Sequence, residues 1–416
     1  MNISSNFDQN ISRFHEILDV QKNFDIVYHT LTIADKKACL YFIDGFTKDE
    51  ILLRLMQDFA SVKPDSFPSS AHDFAKQYVH YGETTVETDD KNIFTQLLSG
   101  LSCLLIDGYD RAILIDCRTY PARGVSEPEK DKVMRGSRDG FVETLVFNTA
   151  LIRRRIRDPK LIMEILTAGE SSHTDIAMCY MEGRADKKLI EKIRKRIQTV
   201  EVDALSMNQE SLAECIFPGK WFNPFPKFKF SERPDTSAAS ILEGSIVILV
   251  DNSPSAMILP SSVFDIIEEA DDYYFPPVTG TYLRLSRMLI SLLSMLLTPT
   301  WLMLMQNTEL IPYWLRFIQL SDPCNIPLVW QLLILEFAID GLRLAAVNTP
   351  NMLTTPLSVI AGIVLGEYAV ESGWFNSETM LYMAFVTIAN YSQASFELGY
   401  AMKFMRIIIL VCTAVF

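Results

Sequence analysis

The chain has 416 residues, with 51 acidic against 38 basic side chains and a formal net charge of −13. An acidic chain without a basic stripe is unsuited to nucleic acid, so we expect no nucleic-acid partner. Seven scattered cysteines without Cys-x-x-Cys spacing indicate reduced thiols, and exclude a disulfide framework or a zinc site as the organising element.

Charge is distributed unevenly along the chain. From residue 281 to Phe416 only 14 of 136 residues are charged, and apolar runs of membrane length follow one another. The sequence therefore predicts an α/β soluble amino-terminal region, followed by an α-helical multi-span transmembrane domain at 281–416.

The first 30 residues are polar and lack the apolar core of a signal sequence. We expect residues 1–30 to be a flexible segment, poorly ordered or loosely helical, with no cleaved secretory signal. Membrane insertion then depends on the internal apolar segments.

Strand and helix patterns alternate from there to about residue 275. The clearest unit is the apolar run 174–181, the amphipathic helix pattern 186–198 and the short run 199–203. Their order and length predict a βαβ crossover.

Two predicted hairpins resemble each other. The stretch 97–112 aligns without gaps with 241–256, with identical residues at Leu98/Leu242, Gly100/Gly244, Leu105/Leu249, Asp107/Asp251 and Ala112/Ala256. Each copy has the pattern of a helix end, a glycine stop, a buried strand, an Asp-initiated turn and a return strand. The alignment favours two related α/β subdomains, at 31–125 and 160–280. Chance similarity between two hairpins is the alternative.

The predicted connecting helical segment, 126–159, carries a cluster of four arginines: Arg153, Arg154, Arg155 and Arg157. Such a cluster within an acidic region is typical of a solvated helix face that pairs with nearby Asp and Glu side chains. A contact between subunits is the alternative, as is binding of phosphate or an acidic partner.

The sequence contains no catalytic or cofactor motif that we recognise. Its five histidines are isolated, and the nucleophile-elbow, zinc-protease, phosphate-loop and dinucleotide fingerprints are absent. We therefore expect no enzyme activity, no cofactor and no metal site.

The first apolar segment, about 286–305, is long enough to span a bilayer. Arg284 and Arg287 at its head indicate that the soluble region lies on the cytoplasmic side. The stretch 306–326 follows, with apolar residues at helical spacing that are typical of a short amphipathic piece in the membrane interface.

The second segment, 327–347, carries three charges at bilayer depth: Glu336, Asp340 and Arg343. Spacings of four and three residues place them on one helical stripe, which must avoid lipid because ionised groups there cost several kcal/mol. Two interpretations remain open. One is a local Asp340–Arg343 pair that locks helix packing; the other is a charged stripe that lines an aqueous path or a helix-bundle interior.

The third segment, 356–375, carries Glu367 and Glu371 four residues apart. Glu367 is the deeper of the two and joins the candidate pore or helix-bundle charges. Two further apolar runs follow. Because the chain stops inside the last of them, we expect a carboxy-terminal piece beyond Phe416.

Several blocks of the sequence resemble the spore germination family that contains the A subunits of germinant receptors. These blocks are 135–161, the ERPD and VDNSP motifs within 223–260, the DDYY motif within 270–275, and 333–345. The likeness covers most of the chain from about residue 90 to the end. It is strongest with the branch that includes a stage V sporulation protein.

The resemblance implies a multi-pass protein of the inner spore membrane, with the soluble amino-terminal region on the cytoplasmic or core side. Family A subunits are similar to oligomeric channel components that release monovalent cations during germination. The implied partners are further copies of the chain, the lipid bilayer, and a transporter-like B subunit with a lipoprotein C subunit, or stage V sporulation membrane proteins.

Carried onto this chain, the resemblance makes Glu336, Asp340 and Arg343 pore-related, with Glu367 a further candidate. The alternative function is a non-conducting scaffold or signalling subunit that couples germinant receptors to another channel. In either case the charges of the membrane half are the residues on which the function is expected to depend.

Overall fold

The computed structural model describes residues 3–119, 136–217, 222–348, 359 and 362–415. The chain forms two compact units. Residues 1–219 and 227–261 make up the first unit, and residues 220–226 and 262–416 make up the second. The domain boundaries expected from the sequence stay predictions.

The first unit is built from two halves with the same succession of helices and strands. The first half contains α1 (Phe7–Leu18), β1 (Ile26–Ile33), β2 (Lys36–Ile43), α2 (Asp49–Ala60), α3 (Ala71–Tyr78), β3 (Thr84–Glu87), α4 (Asp90–Leu98), β4 (Ser102–Ile106) and β5 (Ala112–Ile115). The second half contains α5 (Leu145–Arg155), β6 (Leu161–Ala168), β7 (Thr174–Met181), α6 (Lys187–Gln198), α7 (Gln209–Ile216), β8 (Lys229–Ser231), α8 (Pro234–Glu243), β9 (Ile246–Val250) and β10 (Ala256–Leu259).

Each half folds into one five-stranded sheet, and the strand orders correspond. They are β1-β2-β4-β5-β3 and β6-β7-β9-β10-β8. Neighbouring strands pair antiparallel throughout the described part of both sheets. The predicted α/β region is therefore confirmed, as two antiparallel sheets with helices around them.

The predicted βαβ crossover is wrong. Residues 199–203 form no strand, and β7 pairs antiparallel with β9 after the chain has passed through α6, α7 and α8. Val200 and Val202 pack as loop residues against the core that α6 covers. Alternating apolar residues that close a core from a loop have the same local pattern as a short strand, so the pattern alone could not separate the two.

The two hairpins take equivalent places in the two sheets. The pairs β4–β5 and β9–β10 both occupy the third and fourth positions. Gly100 and Gly244 precede them with φ of 107° and 104°, a left-handed conformation in which glycine ends a helix without strain. The backbone N–H groups of Asp107 and Asp251 each donate to the neighbouring strand, over 2.8 and 3.0 Å.

Helices cover both faces of each sheet, which explains why the strands read as unbroken apolar runs. In the first sheet α1 and α4 cover one face, and α2 and α3 cover the other. In the second sheet α6 and α7 cover one face, and α5 and α8 cover the other. Consecutive strand residues such as Leu40 and Tyr41 thus belong to opposite cores.

The amino-terminal segment is more ordered than the sequence predicts. Residues 1–30 were expected to be flexible, but α1 and the start of β1 lie within them. The side chain of Asn6 accepts a hydrogen bond from the Gln9 backbone and caps α1. Phe14 and Leu18 are completely buried in the first core. The polar composition of this segment does not exclude an ordered helix, because only the face of the helix that packs on the core needs to be apolar.

The described residues of the second unit form helices joined by turns and loops, without a strand. Its helices are α9 (Val263–Ile267), α10 (Asp271–Tyr274), α11 (Pro277–Gln306), α12 (Leu328–Asn348), α13 (Ser377–Tyr391) and α14 (Phe396–Val415). Short 3-10 helices, Thr308–Leu310 and Tyr313–Ile318, follow α11. A π-helical segment, Gly362–Tyr368, continues into one α-helical turn, Ala369–Glu371. By length and composition α11 and α14 qualify as membrane spans among the described helices.

An elbow formed by residues 263–274 holds the beginning of α11. The guanidinium of Arg287 bonds the carboxylates of Asp272 and Glu269. Gly280 lies so close to the elbow that a Cβ atom would stand 2.2 Å from the backbone oxygen of Asp272. The DDYY motif therefore supplies both the counter-charge and the backbone surface against which α11 starts.

Candidate functional site

The charged residues of two apolar helices lie side by side in the second unit. Helix α12 carries Glu336 and Asp340 four residues apart, and α14 carries Lys403 and Arg406 three residues apart. Such spacings put each pair on one face of its helix. The small residues of α11, including the buried Ser294, form a third wall beside them.

Glu336 and Arg406 form a buried bidentate ion pair. Arg406 Nε donates to Oε1 of Glu336, and Nη2 donates to Oε2 over 2.9 Å. Nη1 donates to the backbone oxygen of Ser294 over 2.6 Å. Arg406 is 1% exposed and Glu336 is 3% exposed. The fork geometry matches donors to acceptors on both groups, so a single arginine ties α11, α12 and α14 together.

Lys403 extends this pair into a network. Its Nζ atom donates to the backbone oxygen of Glu336 over 3.0 Å and lies 3.4 Å from the Oε2 atom of the same residue. It also forms an ion pair with the carboxylate of Asp340. We call Glu336, Asp340, Lys403 and Arg406 the ion-pair network. With two acids and two bases, it is formally neutral.

Arg343 is held by aromatic rings. Its guanidinium carbon lies 4.8 Å from the ring centres of Phe396 and Tyr400 and 5.5 Å from that of Tyr391. Aromatic faces attract a guanidinium through their negative quadrupole. The local Asp340–Arg343 pair considered in the sequence analysis is thus replaced by two separate interactions, Asp340 with Lys403 and Arg343 with the rings.

Glu367 lies apart from the ion-pair network. It is exposed on the π-helical segment, and no described side chain forms an ion pair with it. Short π-helical stretches inside membrane and soluble helices are frequent at functional sites. Of the four predicted pore or bundle charges, the structure brings together Glu336 and Asp340, and leaves Glu367 accessible.

The arginine cluster at the end of α5 and just after it divides into buried and exposed members. Arg153 is fully buried, and its Nε and Nη2 atoms donate to the Asp25 carboxylate over 2.7 and 2.9 Å. Its Nη1 atom donates to the backbone of Leu161. Because Asp25 precedes β1 and Leu161 begins β6, Arg153 joins the two halves of the unit. Burial excludes Arg153 from the expected subunit contact.

The other three arginines are accessible to different degrees. Arg155 is half-buried and pairs with Asp139. Burial raises the pKa of Asp139, but hydrogen bonds from Arg155 and Ser137 outweigh that effect and hold this pKa below its ordinary value. Arg154 and Arg157 are exposed. A subunit contact through these three residues stays a prediction.

Sequence reasoning missed the partners of Glu336 and Asp340, although a signal for them existed. Lys403 and Arg406 lie near the start of the last apolar run of the sequence. Two cations three residues apart in such a run need acidic partners, and α12 offers two acids four residues apart, which also lie on one helical face. Among the described residues, no group of three His, Cys, Asp or Glu side chains is placed to hold a metal ion.

Comparison with known proteins now gives the family. The model of the Bacillus/Clostridium GerA spore germination protein matches residues 13–416. This chain belongs to the GerA family. Stage V sporulation protein AF of Bacillus subtilis (strain 168) is 36% identical over 414 residues, covering 98% of this chain and 83% of that relative. Spore germination protein B1 of the same organism is 28% identical over 418 residues, covering 98% and 84%.

A solved GerA-family structure is also similar. It is the crystal structure of the N-terminal domain of the A subunit of the Bacillus megaterium spore germinant receptor GerK3, at 24% identity and a TM-score of 0.48. The match covers 63% of this chain and 97% of the chain in the GerK3 structure. The family match confirms the predicted resemblance to the spore germination proteins. The ion-pair network is therefore a feature of a GerA-family spore germination protein.

Proposed function

We propose that this chain is an integral membrane subunit of the spore germination apparatus and a component of an oligomeric channel for monovalent cations. The observation that carries the proposal is the inverted distribution of polarity in α12. Phe337 is 80% exposed, whereas the adjacent Glu336 is 3% exposed. A helix with charges inside and large apolar side chains outside suits a bilayer, because lipid covers the apolar face and the partner charges satisfy the interior.

The neutral ion-pair network supports a structural role for Glu336 and Asp340 within the channel subunit. Both carboxylate oxygens of Glu336 are buried and paired inside one chain, so they are not free to bind a passing cation, and Asp340 is paired with Lys403. Glu367 is the acid of this group that remains exposed, with Ile363, Val364 and Tyr368 exposed around it. Repeated around an oligomer, such an acid would form the ring of carboxylates that cation pathways use.

The proposed membrane and partners are supported by the family and not by the geometry. We assign the chain to the inner spore membrane, with several spans and the amino-terminal unit on the core side. Its partners would be further copies of itself and other germination membrane proteins, of the transporter-like B and lipoprotein C type or of the stage V sporulation type. The names of the two relatives support a germination or sporulation setting. No enzymatic step is part of the proposal.

Cation flux through the assembled oligomer in liposomes tests the channel. We expect potassium and sodium flux, a large loss of flux in Glu367→Gln, and a smaller change in the matched control Glu371→Gln, one helical turn further along. The Glu336→Ala variant should also lose flux, but for a different reason, because this substitution destabilises the helical unit. A correctly assembled oligomer that passes no cations would contradict the channel.

A non-conducting scaffold is the second candidate, and the closed network favours it. All four members of the ion-pair network find partners within one chain, as expected for a rigid helical platform. Spores that carry Glu367→Gln would then release cations at the normal rate, whereas loss of the network would prevent assembly with partner proteins.

A further inference from the structure

The segment that follows α11 has apolar residues on two opposite faces. It contains the 3-10 helices Thr308–Leu310 and Tyr313–Ile318. On the inner face Ile311 and Ile318 are buried, and Trp301 of α11 donates its Nε1–H to the backbone oxygen of Ile318 over 3.0 Å. This hydrogen bond fixes the segment against the helical unit, so its outer face has a defined orientation.

The outer face consists of four large exposed side chains: Leu310, Tyr313, Trp314 and Phe317. We call these four the aromatic collar. Trp314 is 72% exposed and Phe317 is 79% exposed, although both belong to a segment whose other face is already packed. Water is an unfavourable neighbour for a contiguous apolar patch of this kind. Another apolar phase must cover it.

The chemistry of the collar fits the boundary between lipid headgroups and acyl chains. Tyrosine and tryptophan combine an apolar ring with one polar atom, and they concentrate where a spanning helix leaves the hydrocarbon. The collar begins a few residues after α11, which is long and apolar enough to span. Arg316 is exposed between the rings with its guanidinium carbon 5.0 Å from the ring centre of Tyr313, a placement from which a cation reaches phosphate while its stem stays in the apolar layer.

A neighbouring turn adds a fourth ring to the three rings of the collar. Trp374 is exposed and directly follows Gly373. The backbone oxygen of Gly373 accepts a hydrogen bond from the Asn325 side chain over 3.1 Å. Because Asn325 lies in the loop between the collar and α12, this bond links the two aromatic surfaces.

The size of the collar argues against a protein partner. Large aromatic side chains bury about 150–250 Å² each, so the partly exposed collar offers roughly 500 Å². A stable protein interface needs about 800 Å² from each partner. Contact with lipid requires no minimum area, because each side chain can enter the bilayer independently of the others.

We propose that the aromatic collar, with Arg316 and Trp374, inserts into the headgroup–acyl boundary of a phospholipid bilayer and anchors the end of α11 there. The inference rests on the membrane placement given under the proposed function. It assigns to these residues a lipid contact that is separate from the ion-pair network and from Glu367.

Quenching of tryptophan fluorescence in liposomes tests the anchor. The full chain is reconstituted in vesicles of phosphatidylcholine brominated either near the carbonyl groups or near the chain ends, and the difference between wild type and Trp314→Phe isolates the emission of Trp314. We expect blue-shifted emission, loss of that emission with shallow bromine, less loss with deep bromine, and little quenching by aqueous acrylamide. Phe317→Trp in the Trp314→Phe background should reproduce the result one position along the same face.

Leu53→Trp in the Trp314→Phe background is the control, because Leu53 is exposed on α2 of the sheet-containing unit. Its emission should respond to acrylamide and not to brominated lipid. Acrylamide quenching of Trp314 would overturn the proposal, and so would a Trp314 that neither quencher reaches, since a protein would then cover the collar. An alkaline wash of the vesicles distinguishes failure of the collar proposal from failure of the proposed function. If the chain stays in the vesicles but bromine does not quench Trp314, only the collar proposal is contradicted. If the wash removes the chain, the proposal of an integral membrane subunit is contradicted as well.

Discussion

Glu336 and Arg406 illustrate how one residue pair can decide whether the helical unit folds. The carboxylate and the guanidinium are both removed from solvent, and each relies on the other for its hydrogen bonds. Loss of one partner leaves an uncompensated buried charge, which costs more than the intact pair contributes. The main role of the pair is therefore to specify which helices pack together, and its net contribution to stability is small.

Replacing Glu336 should destabilise the second unit strongly. We expect Glu336→Ala to lower the free energy of unfolding by about 3–5 kcal/mol, the typical cost of an unpaired buried charge. The double variant Glu336→Leu with Arg406→Met should recover most of this loss because it removes both charges. Thermal unfolding of the full chain in detergent measures both. Glu367→Gln is the control, and a loss as large as that of Glu336→Ala would contradict the assignment.

Glu164 should give the first unit a defined acid sensitivity. Burial raises the pKa of Glu164, but hydrogen bonds from Arg194 (2.8 and 2.7 Å) and Tyr180 outweigh burial and hold the pKa below the ordinary 4.5. Its stabilising contribution is therefore complete above pH 4.5 and is lost as pH falls through the lowered value. We expect Glu164→Gln to cost about 1–2 kcal/mol at neutral pH and much less in acid.

Urea unfolding at a series of pH values checks this behaviour, with the exposed Glu191→Gln as control. Equal losses at neutral and acid pH in Glu164→Gln would show that the carboxylate charge is not what stabilises the sheet.

At residue level the sequence indicated the charges but not their partners. Glu336, Asp340 and Arg343 stand out because ionised side chains are rare in apolar runs. Arg406 lies 70 positions from Glu336 in the chain, and no local spacing rule reaches that far. Arg153 looked like part of a surface cluster because the residues beside it are arginines, yet only its own side chain points toward Asp25.

At the scale of elements, the elbow and α11 approach each other so closely that the contact requires glycine at position 280. A Cβ atom at Gly280 would meet the backbone oxygen of Asp272 at 2.2 Å, and backbone cannot rotate away as a side chain can. We expect Gly280→Ala to cost about 1–3 kcal/mol through overpacking and to loosen the Arg287–Asp272 ion pair. Thermal unfolding in detergent measures the loss.

Gly341→Ala in α12 is the matched control, since nothing lies within 4 Å of the added atom. Alanine is the better helix former, so this variant should gain about 0.5–1 kcal/mol. Similar losses in both variants would show that the elbow contact is not special.

Element types were predictable where the local pattern is decisive. The hairpin 102–115 follows from two apolar strands around an Asp-Gly turn, and its copy at 246–259 follows from the alignment. The crossover prediction failed because the strand that pairs with β7 is β9, which begins at Ile246, far along the chain from residues 199–203. At Phe7–Leu18 the sequence predicts at most a loose helix because the apolar face is narrow, whereas the structure has an ordered one.

At the scale of the whole molecule, each sheet finds all its strands inside one half of the first unit. We expect a fragment that ends at Ser261 to be soluble and to unfold cooperatively, because both sheets and the cores on their four faces are complete within it. Size-exclusion chromatography and urea unfolding followed by circular dichroism test this. Aggregation of the fragment without detergent would contradict it.

The Arg153–Asp25 ion pair limits which parts of the first unit can be exchanged between related proteins. The two halves look like interchangeable copies, yet the cation sits in one and its anion in the other. A chimera that took a single half from a relative without this ion pair would bring a guanidinium to a site without a carboxylate, or the reverse. An exchange with such a relative, natural or engineered, must therefore carry both positions across together or replace both with apolar side chains.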